Sequence, residues 1–475
     1  MIDGSGVYTY AQMWRRANQL CRTISDMGIN SRDRIAVECM QNADFLFMAM
    51  ACQIGEFIFV PVEKSAGRNR VNEICCETDA KMLIQDTGYE LSINIPTLSF
   101  KQFAENEPTD DAGFPEETRG LTFEPDKIAE ILYTTGTTGR PKGIAVTNDC
   151  NVAIAENIIF GTEMPPDNVE LVPLPLSHSH GLRTCYAGIL NGSTVVIKDG
   201  VMNVADIYDT IRKYHVTSLD LSPSAARVLL KLAGKKLSEF TEQLSYIEIG
   251  TAFLDEEIKA LLQEVFPRTR LYNFYGSTEA GRSCILEFAS TQKGEGCIGK
   301  PSKHARFVVL GEDGTPVDSS EENMGLLAVS GEMLMKGYWR DQGASDSLMV
   351  DGYLKTSDIG YIDCDGYIYV FGRADDIINY KGIKISPEEI ETPALKCDSV
   401  TDCACVPLAD RMCGFVPKLY VQVGENFDMR KSREYLSGEL DQSRFPKNIE
   451  VIERIPRTYN GKIQRKTLRE RCRKA

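Results

Sequence analysis

Apolar runs that alternate between strand and helix periodicity narrow the folds open to this chain more than any other feature. Residues 194–197, 204–214, 218–221 and 225–232 read as strand, helix, strand and helix. Strands joined through a helix each time run parallel, and the helices cover both faces of the sheet. The same alternation opens the chain. Thr9 can cap a helix whose apolar positions are Met13, Ala17, Leu20, Ile24 and Met27, and Gly28 offers a stop. Short strands are expected at 35–37 and 57–62, with Pro61 marking a strand end. These layers define an α/β fold class.

From 299 to 371 the texture changes. Short β-type runs at 306–310, 325–329 and 367–370 are separated by turns such as Glu312-Asp313-Gly314 and Asp363-Cys364-Asp365-Gly366. This predicts a small antiparallel, barrel-like section. The final stretch mixes helix (387–395, 428–440) with strand (418–423), enough for a small α/β domain. Residues 104–119 are acidic and turn-rich, and read as a surface loop.

Composition removes several function classes. A net charge of -15 argues against a nucleic-acid partner but leaves a small anionic ligand open. The apolar run at 45–52 is cut by Gln53 and Glu56, well short of the ~18 residues of a membrane span. No basic stretch leads into an apolar one after Met1, so no secretory signal is expected. Fifteen cysteines then read as reduced thiols of a cytoplasmic protein. Cys397, Cys403, Cys405 and Cys413 lack Cys-x2-Cys spacing, and Cys403 and Cys405 alternate as two side chains on one strand face. They are expected to be buried small hydrophobes. His178 and His180 have no third ligand nearby in sequence and read as gate or pocket residues rather than a zinc pair.

The strongest local signal runs from Tyr133 to Gly143: Tyr-Thr-Thr-Gly-Thr-Thr-Gly-Arg-Pro-Lys-Gly. A plausible strand, Ala129-Glu130-Ile131-Leu132, leads in. Glycines let a backbone approach a ligand closely, threonine hydroxyls add donors and Lys142 adds charge, so successive N–H and O–H groups can surround a pyrophosphate. Pro141 stands where a Walker A loop needs glycine, and the G-x-G-x-x-G pattern is absent here. That pattern does occur at 294–299, but no apolar strand leads in and Pro301 follows, so it reads as accidental.

Three further motifs follow in order: Tyr272-Asn273-Phe274-Tyr275-Gly276-Ser277-Thr278-Glu279, then Lys355-Thr356-Ser357-Asp358 with Gly372-Arg373, then Pro456-Arg457-Thr458-Tyr459-Asn460-Gly461-Lys462-Ile463. With the Thr/Gly loop they resemble the adenylate-forming acyl- and aryl-CoA synthetases, a family that includes luciferases and peptide-synthetase adenylation domains. The resemblance spans nearly the whole chain. It implies a large N-terminal AMP-binding domain at 1–374, with two α/β sheet layers plus the barrel-like section, and a small mobile C-terminal α/β domain at 375–475 hinged at Asp375.

The resemblance also implies roles. Thr134, Thr135, Gly136, Thr137, Thr138, Gly139 and Lys142 would cradle the phosphates of ATP. Glu279 would help hold Mg²⁺, with Thr278 on the phosphate. Tyr275 would pack on adenine, flanked by Asn273, Phe274 and Gly276. Asp358 would accept both ribose hydroxyls, supported by Arg373. Ser357 stands where the family usually has glycine. Lys462 would bridge the attacking carboxylate and the α-phosphate as the catalytic cation. Gly250, Thr251 and Ala252 would border nucleotide and acyl group, alongside His180 and Thr184.

For the second step, Tyr380-Lys381-Gly382-Ile383-Lys384-Ile385 resembles the CoA-ligase form of the hinge segment, with Lys381 and Gly382 lining a CoA tunnel. Pro175-Leu176-Ser177-His178 resembles the CoA-ligase P-L-x-H motif, which makes His178 a catalytic candidate. An acyl-CoA synthetase using ATP, Mg²⁺, a small carboxylic acid and CoA is therefore expected. Loading of an acyl carrier protein is the alternative, and a catalytically inactive nucleotide-binding protein is a third reading. Arg282, with Arg183 near it, points to a polar or doubly anionic acid if the guanidinium has no partner in the protein, and to no such preference if a protein carboxylate meets it.

Overall fold

The computed structural model describes residues 1–105, 124–133, 141–291, 293–381, 383–410, 413–457 and 463–474. Thr134 to Gly139, Gly382 and Lys462 lie outside them, as does most of the acidic stretch at 104–119. The chain forms two units. One draws on 1–134, 142–306 and 329–354, the other chiefly on 307–328 and 355–475.

In the first unit, Thr9 caps the Tyr10–Asp26 helix through a capping box with Gln12, which satisfies two orphan N–H groups at once. Met13, Ala17, Leu20 and Ile24 form its buried stripe, whereas Met27 is the C-cap and stays exposed. The expected strands appear at Arg34–Glu38 and Ile58–Val62, paired in parallel and in register from Arg34↔Ile58 to Glu38↔Val62. A sheet of seven strands runs in the order Gly337–Tyr338, Gly143–Thr147, Ile128–Tyr133, Ile58–Val62, Arg34–Glu38, Ala80–Ile84, Thr97–Leu98. Its Ile128–Tyr133 strand leads directly into the Thr/Gly loop.

A second sheet of this unit carries Thr194–Ile197, Val169–Val172, Ser218–Leu221, Tyr246–Ile249, Arg270–Ser277, Gly281–Glu287 and Cys297–Pro301, neighbours in that order. The first five pair in parallel, and Gly281–Glu287 folds back antiparallel on Arg270–Ser277. Within the glycine pattern at 294–299, Gly299 has a packing reason. Gly299 sits at φ +98°, and a Cβ there would come 1.8 Å from the Ile285 carbonyl oxygen. The Ser179–Asn191 helix lies between the sheets, since its Tyr186 hydroxyl reaches Glu130 of the first and its Thr184 hydroxyl reaches Glu248 of the second.

In the second unit, the section expected to be barrel-like is antiparallel where Tyr353–Ile362 pairs with Ile368–Arg373, from Asp358↔Arg373 to Ile362↔Ile368. The C-terminal part is a sheet in the order Ile383–Ile385, Ile378–Tyr380, Gly414–Val423, Val400–Asp410, with Asn448–Val451 parallel to Gly414–Val423. Cys403 and Cys405 do share one face, packed with Ile378, Ile390, Leu419 and Leu436, and Cys397 belongs to the same apolar cluster. Ala404 and Val406 face the opposite cluster with Tyr420 and Leu468. Glu391, buried on the Glu388–Ala394 helix, accepts from the Cys405 N–H at 2.6 Å and pairs with Arg465 at 2.7 Å.

Candidate active site

Ligands of open parallel sheets bind beyond the carboxyl ends of the strands, and two such ends lie side by side in the first unit. Strand Tyr246–Ile249 delivers Gly250, Thr251 and Ala252, and its neighbour Arg270–Ser277 delivers Tyr275, Gly276, Thr278 and Glu279. Ile249 and Asn273 are register partners. Two polar atoms here are buried without a hydrogen-bond partner: Thr251 Oγ1 and Asn273 Oδ1. Thr251 also sits at φ +80°, a costly conformation for a β-branched residue and one that concentrates at functional sites. An added Cβ on Gly250 would lie 2.8 Å from His180 Cε1, so that glycine lets the imidazole close on the strand end.

Behind the strand ends is an ionic cluster. His180 Nε2 faces Asp220 Oδ1 at 2.5 Å. Arg282 donates to Glu248 Oε2 at 2.9 Å and to Thr184 Oγ1 at 2.7 Å. Asp220 and Glu248 are register partners on adjacent strands, and Glu170 hydrogen-bonds Ser218 and Tyr246 just behind them. His180, Asp220 and Glu248 place ligand atoms within 4.8 Å of one another, the spacing of a metal pocket. Arg282 already supplies a cation to that group. Burial pushes these carboxyls up, Asp220 to about 6, Glu248 to about 7 and Glu170 to about 8. Arg282 pulls Asp220 and Glu248 partly back, and the Glu248 charge raises Glu170 further.

This answers the question left open by the sequence. Arg282 meets a protein carboxylate, so its charge gives no ground for a doubly anionic acid. Arg183 is not in the pocket at all: it is 1% exposed and turned toward Glu130 of the other sheet, Nη1 to Oε2 at 2.7 Å. His178 is the N-cap residue of the Ser179–Asn191 helix, half-buried and without a side-chain capping bond.

Glu279 and Lys142 converge on a residue that sequence reasoning missed. The Tyr338 hydroxyl donates to Glu279 Oε1 at 3.2 Å, and Lys142 Nζ lies 4.4 Å from the centre of the Tyr338 ring. Among the described residues Glu279 makes no ion pair. A lone half-buried carboxylate beside a hydroxyl residue suits a hard cation that keeps most of its waters. Tyr338 lies in a turn-rich stretch without periodicity, and nothing in its sequence neighbourhood singles it out.

In the second unit, Asp358 and Arg373 are register partners, with Arg373 Nε 3.6 Å from Asp358 Oδ1. Ser357 adopts φ +68°, which accounts for the family's usual glycine at this position. Lys381 is exposed at φ +50°, its N–H bonded to the Cys413 carbonyl. The Thr134 to Gly139 loop, Gly382 and Lys462 are outside the described residues.

The family model described as "AMP-binding enzyme" matches residues 1–339, and "AMP-binding enzyme C-terminal domain" matches 389–462. The chain belongs to the AMP-binding enzyme family, with a large N-terminal and a smaller C-terminal domain. It is 25% identical over 501 residues to a 4-coumarate:CoA ligase of Petunia hybrida, covering 99% of this chain and 90% of the relative. It is 26% identical over 499 residues to a feruloyl-CoA synthase of an Amycolatopsis species, covering 98% and 94%. Among solved structures, ATP-bound MatB from Rhodopseudomonas palustris aligns with TM-score 0.87 at 22% identity, covering 99% of this chain and 94% of that one. The o-succinylbenzoate CoA synthetase of Bacillus subtilis, in complex with an acyl-adenylate, aligns with TM-score 0.87 at 22% identity, covering 98% and 94%. These structural likenesses establish the α/β adenylate-forming fold.

Proposed function

We propose that this protein is an AMP-forming acid–thiol ligase. It joins a carboxylic acid to ATP as an acyl-AMP with release of pyrophosphate, then transfers the acyl group to the thiol of CoA with release of AMP. The observation that carries this reading is the pair of orphaned polar atoms, Thr251 Oγ1 just past the end of Tyr246–Ile249 and Asn273 Oδ1 on the neighbouring strand that leads to Glu279. Buried polar groups without partners cost free energy unless a ligand completes them. The curated relatives, named for 4-coumarate and ferulate, support a CoA ligase.

The chemical difficulty of the first step is to bring a carboxylate against an anionic phosphate, which requires fixed cations around the developing charge. Lys142 and Lys462 are assigned to that task, with Thr278 on the phosphate. Magnesium bound at Glu279 would neutralise phosphate charge. Tyr275 and Gly276 border the adenine, Asp358 accepts from the ribose and Arg373 steadies it. His178 gates the acid. Lys381 and Gly382 line the path of CoA. The domain boundary falls between 374 and 375, and Asp375 is the hinge; it lies in a turn whose next two N–H groups, of Asp376 and Ile377, both bond the Arg373 carbonyl. Free thiols at all fifteen cysteines support a reducing, cytoplasmic setting. Among the described residues no helix is long and apolar enough to cross a membrane.

Because Arg282 is committed to Glu248 and Thr184, its charge sets no preference between plain and dicarboxylic acids. Acid-dependent ATP–pyrophosphate exchange over short, long, cinnamic and dicarboxylic acids, each with CoA or with a pantetheinylated carrier, tests the whole reading. Exchange with monocarboxylic acids and thioester formation on CoA are expected. A dicarboxylic-acid preference lost on Arg282 substitution overturns the reading of Arg282, turnover only with carrier overturns CoA as acceptor, and no exchange with any acid overturns ligase activity.

A further inference from the structure

One short segment touches both halves of the phosphate machinery. Met335 N–H donates to the Glu279 carbonyl at 2.8 Å, Lys336 N–H to Ala145 at 2.9 Å, and Trp339 N–H to Gly143 at 2.7 Å. Gly337 and Tyr338 pair antiparallel with Ala145 and Ile144, the residues just after Lys142 and Gly143. Tyr338 N–H is anchored on its other side by Ser345 Oγ at 2.8 Å, itself held by the Asp341 carbonyl. The phenol is thus fixed in place by backbone bonds on both flanks.

We propose that Tyr338 is a positioning residue of the ligase reaction: its ring carries Lys142 and its hydroxyl orients the Glu279 carboxylate. The inference rests on the assignment of Glu279 to magnesium and Lys142 to phosphate. A hydrogen bond to Oε1 leaves the other oxygen to the metal, so the carboxylate meets the cation in one orientation. The ring face meanwhile steadies an ammonium that would otherwise sample many rotamers.

Two substitutions in the full-length protein separate the functions. Tyr338→Phe keeps the ring and deletes the hydroxyl, while Tyr338→Leu deletes both. ATP binding is measured by titration calorimetry in EDTA and then across magnesium concentrations, with a thermal melt of nucleotide-free protein alongside. Tyr338→Phe should bind metal-free ATP like the parent yet need about tenfold more magnesium for half-maximal effect, the loss of a hydrogen bond to a charged group. Tyr338→Leu should in addition lose roughly three- to fivefold in metal-free ATP affinity. An unchanged magnesium requirement in the Phe variant, or parent-like metal-free binding in the Leu variant, overturns the proposal. If the Leu variant fails to fold, Tyr338→Met makes the same comparison. Glu279→Gln tells the two levels apart. Should it leave the magnesium requirement unchanged, the metal assignment itself fails; should it raise the requirement while Tyr338→Phe does not, only the role of Tyr338 fails.

Discussion

Two buried arginines meet at the Ser179–Asn191 helix, Arg183 carried by it and Arg282 bonded to its Thr184, and their surroundings differ in charge balance. Arg183 meets one carboxylate, Glu130, whose other oxygen accepts from the Tyr186 hydroxyl at 2.6 Å. Arg282 stands before Glu248 and Asp220, with Glu170 behind them. The first cluster is balanced, one charge against one, although the Arg183 nitrogens make no hydrogen bond of good geometry. The second holds more acid than cation and, because burial raises its carboxyls, keeps protons that an unfolded chain would release. The balanced pair clamps helix to sheet. The unbalanced one lies behind the strand ends that form the site.

That contrast can be broken at three places. Glu130→Gln strands a guanidinium that cannot lose its proton, and should cost about 3–5 kcal/mol in urea unfolding, equally at pH 5.5 and 8.5. Arg282→Met leaves carboxyls that can neutralise themselves, so a smaller loss of about 2–3 kcal/mol is expected, growing with pH. An Arg282 variant hurt more than the Glu130 variant would show that proton uptake gives no relief. Glu170→Gln replaces a carboxyl that already holds its proton and should change stability by no more than about 1 kcal/mol at pH 6.

The pH dependence sharpens the same point. Raised carboxyl values mean that the folded protein binds more protons than the unfolded chain between the ordinary carboxylate range and about 8. The slope of stability with pH is therefore negative: the contribution is full below about 4, and is lost as pH rises through the folded values. Stability should fall between pH 5 and 8, most steeply near pH 5, by about 1.4 kcal/mol per unit for each of these carboxyls still protonated in the fold, and Glu170→Gln should flatten that fall. A flat parent profile would remove the distinction between the clusters.

Much of the fold was legible because it is written in local periodicity. The strands Thr194–Ile197 and Ser218–Leu221, and the Val204–Tyr214 helix between them, match the apolar pattern residue for residue, and the Thr9 cap was visible from its side chain alone. The acid cluster was not legible. Asp220 alternates with leucines and on its own reads as a strand residue facing water, but helices cover both faces of that sheet and bury it fully. Only tertiary packing shows that Arg282 is spoken for and that Arg183 turns away from the site. Tyr338 was hidden for another reason: it owes its place to strand pairing with residues far away in sequence, which no motif records.

Among the cysteines, Cys76 and Cys364 are exposed, Cys21 and Cys472 are partly covered, and the rest are buried. Burial also pushes thiols such as Cys52, Cys185, Cys284, Cys403 and Cys405 well up, which starves them of thiolate. A brief exposure to a thiol-reactive dye should therefore mark the natural protein at two points without engineering. Both points precede Asp375, Cys76 in the first unit and Cys364 in the second. A dye-to-dye distance that stays constant from ATP through CoA addition is the outcome expected of a hinge at Asp375; a distance that changes would move the pivot upstream, between the two labels.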